Sequence, residues 1–588
     1  MHLVVGKRIS LGSHRGTIRY VGPVPPSSGE WLGVEWDDPS RGKHDGTSGG
    51  TRYFSVRIAG SGSFIRPTAS KLCSGCSFVE ALRNKYAPPE LPVQDQVHQS
   101  YSRKTIADVE IETPNLDRIS RRAARLDRLR DVGLGGWQSG PSVEEQAAEE
   151  QYSVARAFDA DKGFPQGVIR STCPNLRWLD LSRSLLPDWE QVSLITAELD
   201  HLQTLLLHCN RLQPPPQPLP PSWSDRLGHI HDLRLDATLI QWDDILKLAP
   251  ALTGLKHLQL GGNGITTLAS PGAVAQSAVL PALTSLSLEE NELASWADIA
   301  SALSQLPGLE SLNLNRNRIA SIPPASTSAK LPKLKELFLR GNQLDTWTSL
   351  ENIPSWLVND QLEALHIYDM DESASANVGL LARYEYRDFR AVAIARLGSL
   401  AVLDKTPIAP KERKDAELFV YTRFRQGDVS IIEGAPGHPG QSATLALETA
   451  DIVARFPRFA QLAQQFEADT GMPARPAREG TTTLRSNMLS VMVIASPSAP
   501  AQCQPHVAQP QASATVRLLA TTPLRIAKTK LAAAVRVRAD QVDEVWALLS
   551  PPNAPQGADK IVLEIDDLSR SLDWYQVGSD DQIVLVTQ

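Results

Sequence analysis

Between residues 174 and 368 the apolar positions keep one spacing: two leucines three apart, another two further on, an asparagine three beyond, and a last aliphatic after two more. Leu202, Leu205, Leu207, Asn210 and Leu212 give one copy, and Leu255, Leu258, Leu260, Asn263 and Ile265 another. The pattern returns at Leu283, Leu286, Leu288, Asn291 and Leu293, at Leu309, Leu312, Leu314, Asn317 and Ile319, and at Leu334, Leu337, Leu339, Asn342 and Leu344. Asparagines 263, 291, 317 and 342 stand 28, 26 and 25 residues apart, a period that marks stacked units. Alternation about the central leucine predicts a short strand with its leucines inward and the intervening side chains outward.

A unit this small cannot bury its apolar side alone, so the copies must stack into a curved α/β solenoid with one continuous core, the leucine-rich-repeat architecture. Each asparagine is expected to bond the backbone of neighbouring turns. Ser184 and Thr238 stand where asparagine is due in two further copies, and those turns are expected to be less regular. Helical spacing over 298–306 places that segment on the convex side. The outward positions define a candidate concave face: Trp178, Arg234, His257, Glu289, Asn313, Phe338, Arg340 and His366. Their mix of aromatics and both charge signs favours a protein partner.

Charged and helical sequence over 395–418 reads as a terminal cap for the repeats. Residues 434–440, rich in Gly and Pro, read as linker, with a short helix expected over 452–467. Strands are expected at 488–494, 515–519, 545–549, 561–565 and 582–586, with a helix from Leu524 opened by Pro523 and a loop insertion over 496–513. This order, with the segment 572–578 before the last strand, resembles ubiquitin. The chain ends Val586, Thr587, Gln588 rather than in a diglycine, so a docking role is expected and conjugation is not.

At the other end the pattern changes to glycine and aromatics. Arg41, Gly42, Lys43, His44, Asp45 and Gly46 lie among Trp31, Trp36, Tyr53, Phe54 and Phe64. Glycines bracketing a lysine leave backbone amides exposed beside an ammonium, a combination suited to an acidic chain end. With Gly6 to Ile9, Gly16 to Gly22, Glu30 to Asp37, and Ser63 to Pro67, the stretch resembles the CAP-Gly domain, a small β-barrel-like module. The resemblance implies capture of the C-terminal tail of α-tubulin, an acidic-aromatic ending such as Glu-Glu-Tyr. Lys43 would meet its carboxylates, amides near Gly42 and Gly46 the terminal carboxylate, and Trp31 with Phe64 the aromatic side chain. Core packing is the competing role for Trp31 and Trp36. Most CAP-Gly domains carry asparagine where this chain has His44, so the bond made there is expected to depend on pH.

Composition narrows the function classes. The 588 residues allow several domains, and a formal charge of -7 with pI near 6.0 argues against a general nucleic-acid binder. No apolar run approaches the ~20 residues of a membrane helix, and no secretory signal is read at the start, so a cytoplasmic, cytoskeletal location is expected. Five cysteines do not read as a disulfide framework, and Cys73 with Cys76 lacks the second pair a zinc site needs. Gly261, Gly262, Asn263 and Gly264 lack the Lys-Ser/Thr of a phosphate loop, and no catalytic order stands out, so neither enzyme activity nor a cofactor is expected.

The expected boundaries are 1–80 for the CAP-Gly domain, 81–165 for a linker with helical segments, 166–425 for the repeats and cap, 426–482 for a second linker, and 483–588 for a ubiquitin-like α+β domain of β-grasp type. This module order resembles the tubulin-specific chaperone E family, also called tubulin-folding cofactor E, over nearly the whole chain. The histidine of the Gly42 to Gly46 loop fits that family, as do Pro174, Asn175, Leu176 and the run from Leu179 to Ser182. The Ala/Gln/Pro insertion near the C-terminus and the segment 86–165 depart from it. The resemblance implies binding of α-tubulin, work with other tubulin-folding cofactors and β-tubulin in making or dismantling the heterodimer, and further partners in an Arf-like GTPase and proteasome receptors. Two other readings share these motifs: a microtubule-associated linker, which usually carries coiled-coil heptads not found here, and an adaptor of the ubiquitin–proteasome pathway.

Overall fold

A computed structural model describes residues 3–87, 125–135, 153–269, 279–325, 330–358, 362–369, 378–425, 456–470, 488–500, 511–520, 522–550, 560–565, 568, 570–572, 574–575, 577–579 and 581–587. They form two compact units, Met1–Gln343 with Asn352–Leu362, and Leu344–Glu351 with Glu363–Gln588.

The first unit opens with strands β1 (Arg8–Leu11), β2 (His14–Val24), β3 (Ser27–Trp36), β4 (Thr47–Ser48), β5 (Thr51–Arg52), β6 (Gly62–Ile65) and β7 (Leu72–Cys73). Five of them make an antiparallel sheet ordered β6-β3-β2-β1-β7. Ile9, Ile18, Leu32, Val34 and Trp36 fill its core, and Trp36 is 1% exposed. Buried Arg8 pairs with Asp37 across this sheet.

Strand β8 (Cys76–Ser77) then leads into helix α1 (Phe78–Tyr86), whose Glu80 carboxylate accepts from Ser77 N. Strands β9 (Asp131–Gly133) and β10 (Val154–Arg156) lie inside the segment expected to be linker, which corrects that reading. Strand β9 pairs with the first repeat strand and β10 pairs with β8, so these pieces are framework. Residues 88–124 and 136–152 lie outside the described residues.

After α2 (Val168–Thr172) come the repeats, with strands β11 (Trp178–Asp180), β12 (Thr204–Leu206), β13 (Asp232–Arg234), β14 (His257–Gln259), β15 (Ser285–Ser287), β16 (Ser311–Asn313) and β17 (Glu336–Phe338). They pair parallel and in register, so that Leu179, Leu205, Leu233, Leu258, Leu286, Leu312 and Leu337 form one inward row, each at most 1% exposed. The asparagines work as expected. Asn291 Nδ2 donates to Leu260 O and Leu288 O, both at 2.9 Å, while its Oδ1 accepts from Asn263 N and Ile265 N.

The expected irregularity at Ser184 and Thr238 is not found. Ser184 N and Thr238 N still donate to Oδ1 of Asn210 and Asn263 in the next repeat, and their hydroxyls add a second bond to the same oxygen at 2.9 Å. The residue before each ladder position is left-handed in every copy, at Arg183, Cys209, Ala237, Gly262, Glu290, Arg316 and Gly341. Convex helices α3 (Trp189–Thr196), α4 (Trp223–Leu227), α5 (Trp242–Leu248) and α6 (Trp296–Leu303) each begin with a buried tryptophan, as does α7 (Trp347–Glu351) of the second unit.

In the second unit, strands β18 (Ala364–His366), β19 (Val402–Leu403) and β20 (Thr406–Pro407) accompany helices α8 (Tyr386–Arg396), α9 (Pro410–Arg425) and α10 (Phe459–Thr470). Arg390 binds Glu412 through two hydrogen bonds at 2.7 and 3.0 Å, and Trp347 stacks on Phe389. The short helix expected over 452–467 is described from Phe459, and the glycine-rich stretch 434–440 lies outside the described residues.

The last domain has strands β21 (Met488–Ser496), β22 (Ala512–Leu519), β23 (Val542–Leu549), β24 (Ile561–Glu564) and β25 (Gln582–Thr587), with helix α11 (Leu524–Ala534). The order β22-β21-β25-β23-β24, with β21 and β25 parallel in the centre and one helix packed on the sheet, is the ubiquitin-like β-grasp. This domain packs on the cap: Trp574 stacks on Phe419 of α9 at 4.5 Å, and Lys411 pairs with Glu564 at 2.8 Å. Residues 501–510 of the insertion lie outside the described residues.

Candidate functional site

The site of interest on the first unit is organised by a missing side chain. Gly33 of β3 pairs with Tyr20 of β2 on one side and Phe64 of β6 on the other. A Cβ there would meet Phe54 Cε1 at 2.5 Å and Tyr20 Cβ at 2.9 Å, so Phe54 occupies the gap that glycine leaves. Around it stand Tyr20, Tyr53, Phe64 and His44. Phe64 lies 5.5 Å from Phe54, 5.6 Å from Tyr53 and 5.0 Å from His44 between ring centroids. Edge-to-face packing of this kind makes a firm apolar floor.

The Gly42 to Gly46 loop is fastened beside that floor by close backbone approach. Lys43 N and His44 N both donate to Gly62 O, and Gly62 N donates to His44 O at 2.8 Å. A Cβ on Gly42 would collide with Gly60 O, and one on Gly46, at φ +90°, with Phe54 O. Asp45 is spent inside the loop, accepting from Gly60 N. Lys43 is exposed, and among the described residues it has no ion-pair partner. Gly46 N donates to His44 Nδ1 at 3.0 Å, which leaves the ring proton on Nε2 and makes the neutral ring a donor. Burial pushes the His44 pKa below its usual value; Asp45 opposes this and Lys43 adds to it.

Trp31 takes another place. Its ring carries the Arg66 guanidinium 3.8 Å from the centroid, and the ring contacts of Phe64 are to Tyr20, Tyr53, Phe54 and His44. Tyr20, Tyr53 and Phe54 stand in this aromatic cluster beyond the residues singled out from the sequence. Tyr20 faces Gly33 across β2 and β3, and Tyr53 N donates to Gly46 O of the loop.

On the repeats, Trp178, Arg234, Asn313 and Phe338 sit on the outward side of their strands, half-buried, and His257 is exposed. Arg234 is held by Asp232, with Nη2 to Oδ2 at 2.9 Å, and that contact raises its pKa further. Glu289 accepts from Asn313 Nδ2 at 3.1 Å, and Arg340 N donates to Asn315 Oδ1. His366 departs from expectation: it is 3% exposed, and its Nδ1 accepts from Lys405 N at 3.1 Å, so it belongs to the interior of the second unit. Nearby, His208 Nδ1 accepts from Asp236 N at 3.2 Å, and burial lowers its pKa.

Among the described residues neither cysteine chemistry nor metal chemistry is assembled. Burial, helped by Glu80, pushes the Cys76 thiol up to about 12, far from the thiolate range. Among the described residues no group of three or more His, Cys, Asp or Glu could hold a metal ion, and no helix is long and apolar enough to cross a membrane.

An aromatic, glycine-lined groove, a leucine-repeat solenoid and a β-grasp domain in one chain define a multidomain protein-binding scaffold. Comparison with known families agrees in parts: the CAP-Gly domain matches residues 5–70 and the family of leucine-rich repeats in two copies matches 307–352. The tubulin-specific chaperone E of Danio rerio is 34% identical over 79% of this chain and 80% of its own length, and that of Bos taurus is 32% identical over the same shares. The solution structure of the C-terminal ubiquitin-like domain of mouse tubulin-specific chaperone E covers 18% of this chain and 95% of that one, at 15% identity and a TM-score of 0.13, and the β-grasp assignment rests on the strand order above. The chain belongs to the tubulin-specific chaperone E family. Its relatives are tubulin-specific chaperones by name.

Proposed function

We propose that this chain is a cytoplasmic tubulin-folding cofactor that grips α-tubulin at two places: the C-terminal tail in the CAP-Gly groove and the folded body on the concave repeats. The observation that carries the reading is the exposed Lys43 ammonium, without an ion-pair partner among the described residues, beside the floor of Tyr20, Tyr53, Phe54 and Phe64. An acidic chain ending in an aromatic residue matches both halves of that site, charge to ammonium and ring to floor. The neutral His44 offers a donor for a carboxylate oxygen.

The reading extends to other tubulin-folding cofactors with β-tubulin, an Arf-like GTPase and proteasome receptors as further proposed partners, the last through the ubiquitin-like domain. Joined sites raise avidity by about 10²-fold to 10⁴-fold over either alone when both engage. The test is titration with a peptide ending in Glu-Glu-Tyr, the same peptide lacking the tyrosine, and an amidated form. Each alteration is expected to weaken binding about tenfold or more. Equal affinity for all three refutes the groove assignment.

A further inference from the structure

The CAP-Gly sheet does not hang from the repeats on a free tether. Cys76 and Ser77, which follow β7 at the end of that sheet, pair parallel with Val154 and Arg156 of β10, and Cys76 N donates to Ser153 O at 3.0 Å. The strand they meet is itself fastened to the first repeat. Leu185 N donates to Val154 O at 2.8 Å, and Ala157 N to Gln191 Oε1 of α3 at 2.9 Å. Gly75 fits this seam because it has no Cβ: at φ +68° one would meet Ser153 O at 2.5 Å and Ala155 Cβ at 2.6 Å.

Three more fastenings lie apart from that strand pair. Phe78, Val79 and Leu82 of α1 are fully buried, and the Tyr86 hydroxyl brackets the backbone of Gly133 in β9, accepting from its N at 3.0 Å. Glu80 pairs with Lys162 at 3.1 Å. On the sheet's other side, Gln213 Nε2, in the turn after the second repeat strand, donates to Gly6 O at 3.3 Å. Gln213 is held in turn by its own N–H to Pro187 O.

We propose that the CAP-Gly module is the fixed N-terminal cap of the solenoid, so that the groove and the concave face are one preset two-point surface. Its partner is a single protein carrying both an acidic-aromatic chain end and a folded face, with the flexible length between them on the partner's side. This rests on the tail-capture reading and adds a geometric demand to it. A tethered module would tolerate any tail that reaches the groove, because its own linker takes up the difference. A fixed module measures tail length, since effective concentration collapses once a tail is too short to span the two points.

The test compares the full chain with a variant carrying eight Gly/Ser residues inserted after Ser74 together with Gln213→Ala, which frees the sheet while leaving α1 in place. Probes are intact tubulin, tubulin with its acidic tails removed, and the free tail peptide. Wild type is expected to bind intact tubulin at least about 30-fold more tightly than the variant, with peptide affinity within twofold. Intact tubulin bound equally by both overturns the proposal. Wild type that ignores the peptide would instead fail the tail-capture reading. Hydrogen exchange on the unmodified chain supplies a readout independent of ligands and variants. Amides of Cys76, Leu185 and Gly133 are expected to be protected to the level of the β12 and β13 strands, and exchange at the rate of free loops refutes a fixed cap.

Discussion

The groove and the concave face are built on opposite principles. In the loop the hydrogen bonds run through backbone atoms, Asp45 and His44 Nδ1, which leaves the Lys43 ammonium and the His44 Nε2 proton for other partners. On the repeats the outward polar groups already serve each other: Arg234 with Asp232, Asn313 with Glu289, Ser311 with Glu336. An outward-facing polar group of the loop such as Lys43 can therefore be changed at little cost to folding, with its effect expected on binding. A repeat residue spreads its effect over both.

The largest expected effect separates the two regions most cleanly. Asn291→Ala removes the acceptor for Asn263 N and Ile265 N and the donor for two carbonyls, all buried. Two stranded amides at about 2 kcal/mol each give a loss near 4 kcal/mol, readable by urea denaturation. Affinity for the tail peptide should be unchanged. Next in size, Gly33→Ala drives a methyl into Phe54 and Tyr20. Overpacking of this kind costs about 1–3 kcal/mol. Here the strain falls on the groove floor, so peptide affinity should drop about tenfold or more by calorimetry while the repeats melt as before. An Asn291→Ala protein that melts normally, or a Gly33→Ala protein that binds normally, would break the division.

Much of the solenoid was legible because its period repeats the same buried contacts, and leucines with asparagines are the residues that make them. What escaped has identifiable causes. The left-handed position is filled by Arg183, Cys209, Ala237, Glu290 and Arg316 as well as by glycine, so composition gave no sign of it. The tryptophan that opens each convex helix is displaced in the second repeat by the proline-rich stretch 213–221, which hides the spacing. His366 looked outward by alternation, yet it is buried and its Nδ1 accepts from Lys405 N, which the return of the chain through β19 brings there. Tyr20 was hidden by a bulge: Ile18 faces Val34 in the core, the register shifts at Arg19, and Tyr20 then faces Gly33 on the groove side. Simple period two would have placed Tyr20 with Ile18.

Lys43→Ala comes third. It removes an exposed charge with no structural partner among the described residues, so stability should stay within error while tail-peptide affinity falls about fivefold, or about 1 kcal/mol. Arg234→Ala gives the concave counterpart at smaller scale. It leaves Asp232 without its partner, a loss of under about 1 kcal/mol in stability for a half-exposed pair. Binding of tail-less tubulin should weaken and tail-peptide binding should not. A Lys43→Ala effect on tail-less tubulin, or an Arg234→Ala effect on the peptide, would show the two regions acting through one another.

The smallest effect is the titration of His44. Its folded pKa lies below the ordinary value of 6.5, chiefly through burial, and Nδ1 accepts the Gly46 amide. The unfolded chain therefore binds a proton more readily than the folded one. Above about pH 6.5 both states hold a neutral ring and His44 adds no pH dependence. As pH falls through 6.5 the unfolded state gains protons first, so stability declines until the folded pKa is passed, and then levels off. Because the ring is only half-buried, the decline should be slight, and a comparison with His44→Asn is needed to see it. Asparagine can accept the Gly46 amide through its carbonyl oxygen at any pH in this range. Melting curves of the two proteins should be parallel from pH 8 to about 6.5 and diverge below, with the wild type falling more. Parallel curves down to pH 5 would mean that the folded pKa of His44 is not lowered, and that the ring is not held in its half-buried place beside Gly46 in solution.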